Sequence, residues 1–370
     1  MRTVAGVLRL GGKVAHQQTA LCATHPGGKS TARGGGGAVM AETVSKPFYQ
    51  ALIEHGHADS RVTVVTNDLT ASCEADGFRD TFPDRYVSAG MAEQALVSAL
   101  SGMSQEGLYP IYTSFAVFCT RRPYEQVALT LAYPARKATL VGFLPGLTTP
   151  GGVTHQAVDD IGLMTGLPNM TVVEAADATD METVLEAVHP IPGPAYVRGL
   201  RGEVPRLFDS PLTLGTHRIL REGSDVIVVV SGHLTASTLA VVDQLREDYA
   251  DIGLRNVATL KPFDDESLLS ALASARVVVT VENHWLSSGL GRLVAGALAE
   301  RRSSAELTSV GIADTFTHGG SAPYLEDFYG LGARHIRHAI LTAMGEKAEA
   351  ESGDYAGGAV ELTEGVAEGL

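Results

Sequence analysis

Cysteine is scarce in this chain. Cys22, Cys73 and Cys119 are the only three in 370 residues. They have neither CxxC nor paired spacing, which argues against a disulfide framework or a structural zinc site. They read as small hydrophobes in a reduced compartment. No apolar run is long enough to span a bilayer. The N-terminus lacks the basic, apolar, small-residue order of a secretory signal, so a cytoplasmic location is expected. No GxxxxGK[ST] phosphate loop occurs, and no GxGxxG follows a strand into a helix. The run "GGGG" at 34–37 precedes no strand and is not such a fingerprint. A Gly-Asp-Gly followed at a distance by Asn is also missing. His55 and His57 in "HGH" have no carboxylate or thiol partner in the pattern, so they are a poor metal site.

Basic charge is short as well. The formal net charge is −14. Residues 1–39 hold five basic residues and no acid, whereas residues 345–370 hold seven acids and one lysine. The body between them is strongly acidic, which disfavours nucleic acid or an anionic membrane as a partner. Residues 1–39, which end in the glycine run, read as a disordered leader or as sequence upstream of a start at Met40. The Gly/Ala/Glu-rich stretch 345–370 reads as a solvated acidic tail.

Between these ends, short β-branched runs alternate with longer amphipathic segments. Strands are expected at "VTVVTN" (62–67), "RYVSAG" (85–90), "YPIYTS" (109–114), "ATLVGF" (138–143), "MTVVEA" (170–175) and "AYVRGL" (195–200). Helical patterns such as "AEQALVSALSGMSQ" and "RRPYEQVALTLAY" fall between most of them. The connector 201–215, with Pro205, Pro211 and Gly215, carries no long helix. A second series follows, with strands at "DVIVVVSGH" (225–233), "RNVATL" (255–260), "RVVVTVEN" (276–283) and "SVGIAD" (309–314). The expectation is two three-layer α/β domains with mainly parallel sheets, 40–200 and 216–344, each with its own core.

Open α/β sheets collect ligands at the carboxyl ends of their strands. Asp68 follows the first strand, Glu93 the second, and Ser114 and Phe115 the third. His155 follows the fourth, in the long loop "LPGLTTPGGVTHQ" (144–156), and loops of that length are often functional. The residues alone leave Glu93 open to two readings. It complements a helix N-terminus, worth a few tenths to about 1 kcal/mol, or it carries chemistry. Phe115 and Phe118 are equally open, as core residues or as a ligand platform. Glu282 and His284 in "VENHW" read as hydrogen-bonded turn groups.

The segments "RYVSAGMAEQALVSALSGMSQEGLYPIYTSFAVFCTRRPYEQVALTLAY", "GGVTHQAVDDIGLMTGLPNMTVVEAAD" and "GPAYVRGLRGEVP" together resemble the C-terminal half of transketolases. The likeness is closest to the small subunit of split transketolases. It continues in "VENHWLSSGLGRLVAGALAE" and "FTHGGSAPYLEDFYGLGARHI", running from about residue 42 to 343. It implies a pyrimidine-binding domain followed by the transketolase C-terminal domain, with thiamine diphosphate as cofactor. It also implies a partner, the N-terminal subunit carrying the pyrophosphate-binding domain, which would hold Mg²⁺ and the diphosphate, in an α2β2 heterotetramer. The activity implied is transfer of a two-carbon ketol unit, inactive without the partner.

Residue by residue, Glu93 matches the carboxylate that hydrogen-bonds the aminopyrimidine ring nitrogen. Phe115 and Phe118, at i, i+3 spacing on one helical face, match the aromatic pair that packs the pyrimidine. Arg121 stands where some transketolases have a further aromatic. Asp68 matches the acid of an Ala-Asp-Leu motif, here Asn-Asp-Leu. His155 matches the histidine that bonds substrate oxygens. Ser72, Lys46 and Arg198 or Arg201 align with sugar-phosphate contacts. Two positions depart from the family. Gly151 stands where an Asp usually bonds a substrate hydroxyl, and Leu144 replaces a second histidine. A site built around a hydroxyl discriminates strongly when its partner is missing, so the substrate is expected to be less hydroxylated or more apolar than an ordinary ketose phosphate. The alternatives are a 2-oxoacid dehydrogenase β-subunit, a deoxyxylulose-phosphate-synthase-like lyase, or a non-catalytic subunit that kept the fold.

Overall fold

The computed structural model describes residues 42–346. The leader 1–39 and nearly all of the tail 345–370 lie outside the described residues. In chain order the strands are β1 (Thr43–Ser45), β2 (Val62–Thr66), β3 (Tyr86–Ser88), β4 (Tyr109–Phe115), β5 (Thr139–Phe143), β6 (Thr171–Glu174), β7 (Ala195–Gly199), β8 (Glu203–Pro205), β9 (Arg218–Arg221), β10 (Val226–Val230), β11 (Ile252–Asn256), β12 (Thr259–Lys261), β13 (Val277–Trp285) and β14 (Glu306–Ile312). The helices are α1 (Pro47–Ala58), α2 (Asp76–Thr81), α3 (Glu93–Gln105), α4 (Ala116–Thr120), α5 (Tyr124–Gln126), α6 (Asp160–Thr165), α7 (Ala178–Val188), α8 (Thr235–Leu245), α9 (Glu266–Ser274), α10 (Leu290–Glu300), α11 (Ala322–Phe328) and α12 (Ala333–Met344). A π-helical stretch, Val127–Ala132, continues α5.

The first sheet has the order β12-β6-β7-β5-β4-β2-β3, and all of its strands but β12 run parallel. Its central strands are buried on both faces, which is why they read as continuous apolar runs rather than alternating ones. Neighbouring residues in a strand serve opposite faces. Val65, Tyr112, Leu140, Val172 and Tyr196 enter one core, while Val64, Ile111, Val141, Val173 and Val197 enter the other. The second sheet, β14-β13-β10-β11-β9, is parallel except for its edge strand β9.

Two features revise the expected division. The stretch 255–260, read as one strand, is two. It ends β11 in the second sheet, then crosses to the first sheet as β12, where Thr259 and Lys261 pair antiparallel with β6. Each half does have its own apolar cluster, but the two sheets share a third between them. Ile227, Val229, Val278, Leu290 and Val294 from the second half pack in the same apolar cluster as Tyr112, Leu140 and Val172 from the first. The connector contributes too, because β8 pairs antiparallel with β1 and closes a two-stranded ribbon.

Candidate active site at the carboxyl edge of the first sheet

The chain runs from β2 outward to β3, then returns to the other side of β2 as β4. That reversal opens a crevice at the carboxyl ends of β2 and β4, the position where doubly wound sheets bind ligands. Asn67 follows β2 directly, and Ser114 and Phe115 close β4. Gly90, at φ +71°, turns the chain after β3. Glu93 is the first residue of α3 and is buried to 5 % exposure.

These groups form a directed chain of hydrogen bonds. The Ser114 hydroxyl donates to Asn67 Oδ1 at 2.7 Å, and Asn67 Nδ2 donates to Glu93 Oε1 at 3.0 Å. The same Oε1 accepts a 2.7 Å bond from the Arg122 guanidinium. The Ser114 bond fixes the Asn67 amide so that its NH₂ faces the acid, and Asn67 in turn fixes the acid. Glu93 therefore does complement a helix start, but it is also oriented by two side chains from other elements, which a plain capping residue does not need.

Phe115 ends β4, and Phe118 lies one turn into α4. Their rings stack at 6.0 Å between centroids with 27° between planes. His155 meets both edge-on, at 6.5 Å from Phe115 and 5.5 Å from Phe118. The Arg122 guanidinium lies over the Phe118 ring, 4.1 Å from its centroid. Glu93, both phenylalanines and His155 thus gather in one cleft, as the spacing suggested.

The loop that carries His155 is held from both sides. Thr154 Oγ1 lies 2.8 Å from His155 Nδ1. Arg121 Nε reaches both carboxylate oxygens of Asp159, at 3.0 and 2.8 Å, and its Nη1 reaches the Val153 carbonyl at 3.4 Å. From the second half of the chain, the Gln156 amide is held between the Thr149 and His318 carbonyls at 3.1 and 3.2 Å, with Thr317 bonded to its Oε1. Arg121 therefore works as a staple of the histidine loop. The arginine facing Glu93 is its neighbour Arg122, which the sequence reading passed over. Nothing in the sequence separated the two, since one step of chain decides which neighbour turns toward the acid.

The remaining candidates lie outside this hydrogen-bonded set. Asp68 is exposed and takes a left-handed φ of 69°. Arg201 lies near Glu74, Ser72 two residues before it, and the Lys46 backbone is tied to the same place through Gly202. The Glu74 carboxylate accepts the Phe48 N–H at 3.2 Å and the Gly202 N–H at 2.7 Å, while the Lys46 N–H donates to the Gly202 carbonyl at 2.7 Å. Burial pushes the Glu74 carboxyl above its usual range, and these N–H bonds and Arg201 oppose that push. Ser72 precedes Glu74 in the same short turn.

Arg198 is not at the rim. It is 1 % exposed, with four of its five guanidinium N–H donors engaged in the interior. Its Nε donates to Asp160 at 2.8 Å and its Nη1 to Glu174 at 2.5 Å, while Nη2 donates to the Ala157 and Asn283 carbonyls at 3.1 and 2.9 Å. Tyr196 donates to the same Asp160 oxygen at 2.6 Å. Burial alone would raise the Asp160 carboxyl, but Arg198 and His284 beside it hold it below its usual range. The strand register explains the placement. Tyr196 and Arg198 share a face of β7, and that face looks at the second sheet, not at the crevice. Arg201, two residues beyond the strand, is the member of the pair left free of this interior network.

Glu282 and His284 are hydrogen-bonded as expected, but they lie within strand β13 rather than in a turn. Glu282 accepts the Leu290 and Gly291 N–H groups at 2.6 and 2.9 Å at the start of α10, and burial lifts its carboxyl to about 7. His284 accepts the Ile161 N–H at 3.2 Å through Nε2, and its Nδ1 lies 2.9 Å from the Trp285 carbonyl. Burial lowers its pKa, so it stays neutral. Among the described residues no group of three or more His, Cys, Asp or Glu is placed to hold a metal ion, and no helix is long and apolar enough to cross a membrane.

Residues 41–206 match the family profile "Transketolase, pyrimidine binding domain", and residues 215–336 match "Transketolase, C-terminal domain". A putative uncharacterised transketolase family protein of Sinorhizobium fredii, y4mN, is 37 % identical over 295 residues, covering 78 % of this chain and 86 % of that one. The chain belongs to the transketolase family. The 6-deoxy-6-sulfo-D-fructose transketolase subunit SqwH of a Clostridium species is 32 % identical over 292 residues, 78 % of this chain and 90 % of that one. Among solved structures, a split gene transketolase described as an inactive β4 tetramer superposes with a TM-score of 0.74 at 32 % identity, over 82 % of this chain and 98 % of that one. The family implies thiamine diphosphate. The residues present fit one half of it. A nearly buried carboxylate beside two stacked phenylalanines suits a flat aminopyrimidine ring. The described residues offer no comparable set of oxygen ligands for a diphosphate-bound divalent ion, which needs near-octahedral oxygens.

Proposed function

We propose that this chain is the pyrimidine-binding subunit of a two-chain transketolase-type enzyme. Its reaction moves a two-carbon ketol unit from a ketose-type donor to an aldehyde-type acceptor. The observation that carries this reading is the Ser114–Asn67–Glu93 chain ending at the Phe115–Phe118 pair, with His155 across the cleft. In this reading thiamine diphosphate, when bound, supplies the nucleophilic carbon and the electron sink. Glu93 hydrogen-bonds the aminopyrimidine ring and exchanges a proton with it, while Asn67 keeps the acid aimed. Phe115 and Phe118 pack the ring and exclude water, and Asp68 borders the cofactor site after β2. His155 bonds substrate oxygens.

A partner chain is part of the proposal. The missing Gly-Asp-Gly…Asn pattern supports it, as do one relative named as a subunit and another described as inactive in a β-only tetramer. The partner would supply the pyrophosphate-binding domain with Mg²⁺, in an α2β2 assembly. For the substrate, Lys46, Ser72 and Arg201 at the Glu74 turn are proposed to meet an anionic group. Gly151 supports a less hydroxylated chain than a common ketose phosphate. A Cβ there would stand 2.9 Å from His155 Cβ and Cγ, so no aspartate fits beside the histidine as it is placed.

The test is to co-purify the chain with a large subunit from the same genome that carries the Gly-Asp-Gly…Asn pattern. Ketose donors are then assayed against pyruvate with thiamine diphosphate and Mg²⁺. Ketol transfer by the pair, lost in Glu93→Ala, is expected. Turnover by this chain alone would overturn the two-chain reading, and pyruvate-dependent turnover would favour the oxoacid or lyase alternative. Full activity of Glu93→Ala would make the chain a non-catalytic subunit.

A further inference from the structure

Arg122 sits in the turn between α4 and α5, where its side chain does two things at once. It pairs with Glu93 Oε1 at 2.7 Å, and it lays its guanidinium over Phe118 at 4.1 Å. A guanidinium is a flat cation whose N–H edge faces a carboxylate and whose plane stacks on an aromatic ring. An aminopyrimidine has the same shape and the same amidine-like edge. A ring bonded to Glu93 and packed on Phe118 would need the volume that this guanidinium fills.

The two partners of Glu93 differ in how firmly they are held. Asn67 is 2 % exposed and tied to Ser114 within the sheet edge. The Arg122 side chain is 51 % exposed while its partner Glu93 is 5 % exposed, so the cation can turn to water although the acid stays in place. Releasing Arg122 leaves the acid still oriented by Asn67. Holding it keeps a carboxylate at 5 % exposure from losing its counter-charge.

We propose that Arg122 is a built-in occupant of the pyrimidine seat, filling it in the free chain and leaving Glu93 when the cofactor's aminopyrimidine enters. This rests on the reading of Glu93 as the aminopyrimidine's partner. It adds that loading the site is an exchange of one flat nitrogen-edged group, the guanidinium, for another, the aminopyrimidine ring.

The test uses the full chain and thiamine as probe, titrated by ligand-observed NMR, with melting curves to confirm that each variant folds. Arg122→Ala removes the competitor and is expected to bind thiamine roughly fivefold to tenfold more tightly than wild type, the order of an ion pair exposed on one side plus a cation–π contact. Arg122→Lys, which keeps the charge but not the plane, should fall between the two. Binding by Arg122→Ala that is unchanged, weaker or absent overturns the proposal, because Arg122 would then support the ligand or be indifferent to it. In a second measurement, the Arg122-containing peptide is mapped after phenylglyoxal treatment. Thiamine should speed modification of Arg122 as it swings into solvent, and protection would overturn the proposal. Glu93→Gln separates the two levels of argument. If it binds thiamine as wild type does, the reading of Glu93 itself fails. If Glu93→Gln weakens binding while Arg122→Ala does not tighten it, only the exchange fails.

Discussion

Arg198→Met should damage folding rather than substrate recognition, and its size follows from the interior network. The substitution removes five donors of which four are engaged: two by the carboxylates of Asp160 and Glu174, two by the carbonyls of Ala157 and Asn283. Breaking a buried ion pair by removing one partner costs about 3–5 kcal/mol, because the remaining charge is left uncompensated. Here two acids lose the same cation, while the Ala157 carbonyl keeps the Gly146 N–H at 2.7 Å, so the carbonyl contacts add only about 1 kcal/mol. Protonation of one acid would recover part of this. The expected loss is therefore about 4 kcal/mol, a large share of the roughly 5–15 kcal/mol that holds an ordinary domain together. Urea unfolding followed by far-UV circular dichroism and by Trp285 fluorescence should show one earlier transition in both signals, since the two halves share a core. Adding Asp160→Asn and Glu174→Gln should return about 2 kcal/mol or more, because neutral amides no longer need the cation. A loss below about 1 kcal/mol, with substrate affinity falling instead, would refute the interior assignment and return Arg198 to the substrate.

Three further outcomes are expected. Arg121→Ala frees Asp159 and the Val153 carbonyl, so the loop carrying His155 should loosen. KM of the assembled enzyme should rise severalfold while its melting temperature changes little, and an unchanged KM would separate the staple from the site. His55 is held by burial, and by the nearby charge of His189, at a pKa of about 4, below the usual 6.5. A depressed pKa means the stability is fully present above pH 6.5 and is lost as pH falls toward 4, by up to about 3 kcal/mol. His55→Leu should flatten that slope in urea titrations across the window, and an identical slope in both proteins would exclude His55 as its source. Gly289→Ala places a Cβ 1.8 Å from Glu282 Oε2, inside the carboxylate that starts α10. It should cost about 2 kcal/mol or more by overpacking and lost bonds, read as a lower urea midpoint, whereas exposed Gly296→Ala, with open space around it, should not.

Much of the first sheet was legible in the sequence because a strand buried on both faces writes itself as a continuous β-branched run. "VTVVTN", "YPIYTS" and "ATLVGF" each came within a residue or two of β2, β4 and β5. The stretch 255–260 failed for the opposite reason. Its residues, Arg-Asn-Val-Ala-Thr-Leu, are buried throughout, and periodicity carries no mark of a change of sheet. At the site, Glu93, Phe115, Phe118 and His155 stood out because each follows a strand at the edge where ligands gather. Arg198 misled because it too ends a strand. Which side of a parallel strand faces the neighbouring sheet is set by long-range packing, not by position along the chain. The Arg121–Arg122 pair shows the finest limit, since two identical residues in one turn differ only in where the backbone aims them.

The crossing of β12 has a consequence for exchanging parts among relatives. A cut in the connector near residue 210 looks natural in the sequence, yet it would strip β6 of its neighbour and bare a row of backbone donors and acceptors beside a half-filled core. Each half alone would be a sticky fragment. A chimera that joined the front of this chain to the back of a relative would graft not only a new cover for the cleft but also a new edge strand for the sheet that builds it. Successful hybrids should be those in which the incoming 259–261 segment and β6 were inherited together.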